Sequence, residues 1–82
     1  MAERIDPAAL HSEAGWQTRL GTRISVRYRT GDAAYPFGSS AGLLQSVSAG
    51  PDGEPQLVIV TRRGEERIVP LETIEVAKPL SP

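Results

Sequence analysis

A chain of 82 residues fits one small domain, and a domain of this size buries only about 60 to 65% of the surface that its unfolded chain exposes. An enclosed active-site pocket, commonly about 300 Å³ or more, leaves little room for a core in so short a chain, so we expect neither an enzyme nor a bound cofactor. The absence of cysteine excludes disulfides and thiolate zinc sites, and the net charge of −1 counts against a strongly basic nucleic-acid-binding domain.

The N-terminal segment, residues 1–19, contains a helix start. Asp6 suits the N-cap and Pro7 the first helical position, so the sequence predicts a short helix over residues 7–14 that Gly15 ends. The segment has neither the basic start nor the apolar run of a signal peptide, and no stretch approaches the roughly 20 apolar residues that span a bilayer. We therefore expect a cytoplasmic protein with no membrane contact.

Strict alternation over residues 22–29 predicts a half-buried antiparallel strand, and it is the clearest periodic signal in the sequence. The face predicted to be buried carries Ile24, Val26 and Tyr28. The face predicted to be exposed carries Arg23, Ser25, Arg27 and Arg29.

The remaining elements follow from turn residues and β-branched runs. Residues 30–40 have loop composition, although Tyr35 and Phe37 flank Pro36 there. A tight turn at residues 62–65 joins two strands into a hairpin. The full set of predicted elements after the first loop is a strand over 42–47, a strand over 56–61, a strand over 66–70, one turn of 3₁₀ helix over 71–73 and a last strand over 74–77.

The order of these elements predicts an all-β protein, a small five-stranded SH3-like barrel with a short N-terminal helix. The barrel is expected to span residues 20–78, and residues 79–82 form a flexible tail. An Sm-like barrel, which has a helix before its first strand, is the alternative fold.

Four segments support a resemblance to a known family. They are residues 20–29, within which Gly-Thr-Arg-Ile-Ser-Val-Arg-Tyr-Arg (21–29) is the most specific element, Ala-Gly-Leu-Leu at 41–44, Thr-Arg-Arg-Gly at 61–64 and Val-Pro-Leu-Glu-Thr-Ile at 69–74. Over residues 16–78 the chain resembles the SH3-like domain at the N-terminus of certain actinobacterial GNAT-type acetyltransferases. In that family the acetyl transfer belongs to the larger domain that follows. The resemblance therefore implies a non-catalytic domain that accompanies an acetyltransferase. Our leading hypothesis is a docking module whose partner is an acetyltransferase domain or a second copy of the chain.

Three aromatic residues are candidates for binding a protein partner. Tyr35 and Phe37 occupy the loop that lines the peptide groove in SH3 domains, and Trp16 is of a residue type that is enriched at interfaces. The competing interpretation is structural: Trp16 caps the open end of the barrel with Leu10, and the loop folds back over one barrel end.

The arginines of the first strand give an alternative function, a small nucleic-acid-binding barrel. Arg23, Arg27 and Arg29 share one face at about 6.5 Å for each two residues, near the phosphate repeat of an extended strand, and Arg62 and Arg63 could extend it. The competing interpretation is a solvated outer face whose arginines pair with carboxylates. Glu65, Glu66 and Glu75 are available for such pairs.

No catalytic, cofactor-binding or metal-binding residue is predicted. His11, the single histidine, is expected at the surface, because its sequence neighbours cannot converge on it to form a triad or a metal site. The glycines lie in turns and form no phosphate-binding motif.

Overall fold

Five antiparallel strands form a single sheet in the computed structural model, which describes residues 4–80. The strands are β1 (Arg23–Arg29), β2 (Phe37–Ala49), β3 (Pro55–Val60), β4 (Glu66–Pro70) and β5 (Ile74–Pro79). Their order across the sheet is β4-β3-β2-β1-β5. The predicted all-β class and the five strands are confirmed. Within residues 4–80 no strand pairing joins β4 to β5, so the ladder of hydrogen bonds is open at these two edges.

The long strand β2 connects the two halves of the sheet. Its first part pairs with β1, and its second part pairs with β3, so that Leu43 lies opposite both Arg23 and Val60. The ladder with β3 is interrupted between Leu44 and Ser46. The backbones of β2 and β3 approach each other closely at Gly42, a contact that we call the close crossing: a Cβ atom on Gly42 would lie 2.2 Å from the carbonyl oxygen of Val60.

Strand β2 begins five residues before the predicted start at residue 42, so the predicted loop over residues 30–40 is too long. Tyr28 pairs with Gly38, and a Cβ atom on Gly38 would lie 3.0 Å from the Tyr28 ring. Gly38 therefore provides the space in which the ring packs across the strand. Gly38, Ser39 and Ser40, whose residue types suggested a loop, belong to β2.

The predicted helix over residues 7–14 is wrong as a single element. The chain forms one 3₁₀ turn (Pro7–Ala9) and then a short helix α1 (Glu13–Gln17). Each has its own N-cap, since Asp6 Oδ1 accepts a hydrogen bond from Ala8 N and Ser12 Oγ accepts one from Gly15 N. Gly15 lies inside α1 and does not end a helix. No helix in the described residues is long and apolar enough to cross a membrane.

The core lies on one face of the sheet and includes residues from before β1. Ile5, Leu10 and Trp16 are buried, and Ile5 N donates a 2.8 Å hydrogen bond to Ala77 O, which holds the N-terminal segment along β5. The radius of gyration of 12.0 Å is close to the roughly 12 Å of a compact domain of this length. The strands and the second 3₁₀ turn (Leu71–Thr73) supply the remaining buried apolar side chains: Ile24, Val26, Leu44, Val47, Leu57, Ile59, Val69, Leu71, Ile74 and Ala77.

Candidate functional site

Two of the three predicted partner-binding aromatics are exposed and lie together at the β1–β2 loop. The side chain of Tyr35 is 75% exposed and that of Phe37 is 46% exposed. By contrast, Trp16 is in the core and Tyr28 packs against it. The loop therefore does not fold back into the core. We call Tyr35, Pro36 and Phe37 the aromatic loop surface.

Four hydrogen bonds connect residues within this loop. Thr30 N donates to Pro36 O at 3.0 Å, and the Thr30 hydroxyl donates to Tyr35 O. The same hydroxyl accepts from Asp32 N at 3.0 Å, and Asp32 Oδ1 accepts from Ala34 N at 2.8 Å. An aspartate that bonds the backbone two residues further on forms a turn by itself. The aromatic residues are thus presented by a loop whose two ends are tied together.

Two arginines flank the aromatic loop surface in different ways. The guanidinium carbon of Arg27 lies 4.4 Å from the centroid of the Phe37 ring, a cation–π contact worth about 0.5–1 kcal/mol at an exposed position. Arg29 is directed to β5 and the preceding turn, since its Nε lies 3.2 Å from Glu75 Oε1 and its Nη2 donates to Glu72 O at 2.7 Å. Arg27 therefore orients the aromatic ring, whereas Arg29 joins neighbouring elements of the fold.

The third predicted partner-binding residue, Trp16, has a structural position. Its side chain is only 1% exposed, and its indole Nε1 donates a 2.8 Å hydrogen bond to Leu10 O. A side chain buried in this way offers no surface to a partner. Trp16 instead fastens α1 to the turn that precedes it.

The candidate nucleic-acid face divides into paired and unpaired arginines. Within residues 4–80 the ion pairs are Arg29 with Glu75 and Arg67 with Glu65. The expected pairing with a carboxylate is thus present for Arg29. Arg23, Arg27, Arg62 and Arg63 form no ion pair with any residue in that part of the chain.

Arg23 and Arg62 come together on the outer side of the sheet. They line one depression of about 230 Å³ with Ala41, Gly42 and Leu80. A second depression, of about 440 Å³, continues from Arg23 and Leu80. We call the two together the basic groove. The side chains that define its rim and floor are Arg19, Arg23, Arg62, Leu43, Pro79 and Leu80.

Sequence reasoning missed Arg19, Leu43 and Leu80 as members of this groove. One signal was available for Leu43: adjacent residues of a strand point to opposite faces, so only one of the pair Leu43 and Leu44 can enter the core. Leu44 is fully buried, and Leu43 is 41% exposed. The closeness of Arg19 and Leu80 depends on tertiary structure.

The residues that could support catalysis are dispersed in the described part of the chain. His11 is exposed, and its Nε2 lies 3.1 Å from Ile74 O. Among residues 4–80 no three histidine, aspartate or glutamate side chains lie close enough together to hold a metal ion.

Comparison with known proteins identifies no relative: no family model matches the chain, and no curated protein or solved structure is significantly similar to it. The aromatic loop surface and the basic groove are therefore interpreted from their own geometry. Both belong to a small antiparallel β protein with an open five-stranded sheet.

Proposed function

We propose that this chain is a non-catalytic SH3-like interaction module that binds a protein partner through the aromatic loop surface. The observation that carries the proposal is the exposure of Tyr35 and Phe37 on a loop tied by Thr30. Ordered aromatic side chains supply large contact areas and lose little conformational entropy when they bind.

The SH3-like barrel is supported by the arrangement of the elements. The strand order β5-β1-β2-β3-β4 keeps sequence neighbours adjacent and brings β5 back to β1, with a 3₁₀ turn (Leu71–Thr73) immediately before β5. The ladder between β2 and β3 shifts register between Leu44 and Ser46, and a register shift of this kind bends a strand in the direction that barrel closure requires. The ground plan is the one expected of an SH3-like barrel.

The proposed partner is a GNAT-type acetyltransferase domain, in the same or a neighbouring polypeptide, or a second copy of this chain. The choice rests on the resemblance over residues 16–78. Under this proposal the chain contributes binding surface, and the partner carries the chemistry.

The test is a titration of the isotope-labelled chain with a candidate acetyltransferase domain, observed by NMR. We expect amide shifts over residues 30–37, and we expect Tyr35→Ala and Phe37→Ala each to weaken binding by about tenfold, as for an aromatic anchor. Ile68→Thr is the matched control, because Ile68 is also exposed, at 60%, but lies on β4 at the sheet edge.

Self-association is measured on the same variants by sedimentation. A chain that stays monomeric and shows no shifts with the acetyltransferase domain contradicts the proposal. Equal losses from Tyr35→Ala and Ile68→Thr would also contradict it, because the aromatic loop surface would then have no specific role.

Nucleic-acid binding is the second candidate function, favoured by the unpaired arginines Arg23, Arg27, Arg62 and Arg63. Phosphate contacts make binding weaken steeply with salt, and the slope of log affinity against log salt should fall by about one for each contacting arginine that is removed. The measurement is a salt titration of DNA and RNA oligonucleotide binding by wild type and Arg27→Ala. No binding at low salt excludes this candidate.

A further inference from the structure

We propose that the basic groove is a second binding site, which takes an extended acidic peptide segment of a partner protein with an apolar side chain between its carboxylates. The site is separate from the aromatic loop surface and does not depend on it. Its occupant is inferred from the charge and the chemistry of the groove, which has three guanidinium groups around an aliphatic floor.

Backbone hydrogen bonds fix both walls of the groove. On one side, the turn at residues 19–22 is bound to β2, because Gly21 N donates to Leu44 O and Leu44 N donates to Thr22 O, both at 2.9 Å. On the other side, Leu80 N donates to Arg23 O at 2.9 Å. The groove is therefore formed before any ligand arrives, which lowers the entropic cost of binding.

The charge in the groove is uncompensated within the described residues. Neither depression has a carboxylate in its lining, and Arg19, Arg23 and Arg62 form no ion pair with residues 4–80. Like charges held near each other repel, so an anion that enters between them is favoured. The planar guanidinium matches a carboxylate in a two-bond geometry.

The floor of the groove favours a peptide over a nucleic acid. Leu43 is 41% exposed there beside Pro79 and Leu80, so an apolar side chain finds an aliphatic surface. Proteins that bind single-stranded nucleic acids typically combine a basic groove with aromatic rings on which bases stack, and among residues 4–80 no aromatic side chain lines this groove. The backbone of Phe37 is six residues along β2 from Leu43, which corresponds to about 20 Å in an extended strand.

The overall charge is consistent with the same choice. With a net charge of −1 the chain has little long-range attraction for a polyanion. A short acidic segment needs only the local field of the three arginines. The groove thus suits one stretch of an acidic protein surface or tail.

The test uses the 82-residue chain and the synthetic peptide Asp-Glu-Leu-Asp-Glu-Leu-Asp-Glu, with binding followed by amide shifts and by fluorescence anisotropy of the labelled peptide. We expect shifts at Arg19, Gly21, Arg23, Leu43 and Leu80. The peptide with asparagine and glutamine in place of its acidic residues should not bind, and the peptide with serine in place of leucine should bind more weakly.

The arginine variants supply a matched pair. Arg62→Ala should weaken binding by about three- to tenfold, since it removes one charge-assisted contact. Arg63→Ala should leave the affinity unchanged, because Arg63 is in the same turn but does not line the groove. Thermal unfolding of both variants shows whether they fold equally well, and Arg23→Ala provides a second test from a different strand.

The outcomes separate this proposal from the proposed function. If Arg62→Ala and Arg63→Ala bind the acidic peptide with equal affinity, the proposed role of the groove is overturned. It is also overturned if the peptide causes no amide shifts. Shifts confined to residues 30–37 also overturn it and leave the aromatic loop surface intact. A third outcome would favour a nucleic acid as the ligand of the groove and overturn the proposal: the chain binds a dT12 oligonucleotide, Arg62→Ala weakens that binding, and the peptide does not bind. Peptide shifts in the groove that persist in Tyr35→Ala support it independently.

Discussion

Substitution of Gly42 by alanine tests the close crossing of β2 and β3 on which the arrangement of the basic groove depends. The added Cβ would lie 2.2 Å from Val60 O, 2.8 Å from the Val60 carbonyl carbon and 3.0 Å from Thr61 Cα. All three are backbone atoms, so no side chain can rotate away. An ordinary carbon–oxygen contact is about 3.3 Å, so β3 must move by about 1 Å.

The expected cost follows from overpacking, which destabilises by about 1–3 kcal/mol and more where the surroundings cannot relax. We expect Gly42→Ala to lower the free energy of unfolding by about 3 kcal/mol or more. For a domain of this size that corresponds to a fall in Tm of about 12–24 °C.

The assay is urea and thermal unfolding, followed by the fluorescence of Trp16, the single tryptophan, and by circular dichroism. Gly53→Ala is the control, because Gly53 has φ +84° and no atom within 4 Å of its added Cβ. Gly53→Ala should lose only about 1 kcal/mol of unfolding free energy, because alanine is disfavoured in the left-handed backbone conformation. If Gly42→Ala is no less stable than Gly53→Ala, the close crossing is refuted.

Two further substitutions test the N-terminal segment and the loop. Trp16→Phe removes the buried hydrogen bond to Leu10 O together with part of the core volume, so it should lower the free energy of unfolding by about 2–3 kcal/mol. The measurement is chemical unfolding followed by circular dichroism, and a loss below about 1 kcal/mol would argue against the buried hydrogen bond. Thr30→Val keeps the shape of the side chain but removes the hydroxyl that bonds to Tyr35 O and Asp32 N. Hydrogen exchange at the Asp32 amide should therefore accelerate. An unchanged exchange rate would show that the hydroxyl does not stabilise the loop.

Local sequence patterns predicted the bounds of β1 and β4 correctly or within one residue. The alternating arginines placed β1 to within one residue, and β4 was predicted with its observed bounds, Glu66–Pro70. The turn before β4 explains the second success: Gly64 has φ +85° and its N–H donates to Thr61 O at 2.9 Å, while Thr61 N donates to Glu65 O at 2.8 Å. A glycine that closes a hairpin in this way fixes the register of both strands.

Local sequence patterns gave wrong predictions at positions where a contact with another residue determines the residue type. Gly38 is assigned to a loop because its pairing with Tyr28 across the sheet is not visible in the sequence. Gly15 is predicted as the end of a helix because Ser12 is not recognised as the N-cap of α1. Arg23 and Arg62 could be recognised as candidates, but their shared depression with Leu80 requires the Leu43–Val60 pairing and the bond from Leu80 N to Arg23 O. Neither depends on local sequence.

The two proposed surfaces lie near opposite ends of the β1–β2 hairpin, and this placement follows from the alternation of its residues. The inward positions hold Ile24, Val26 and Leu44 in the core, so the outward positions are free to carry Arg27 with Phe37 at one end and Arg23 with Leu43 at the other. Substitutions at outward positions change the surface with little effect on packing. Because the ends are about 20 Å apart, the effects of such substitutions should add, and a double variant at both ends can show whether one partner spans the hairpin or two partners bind separately.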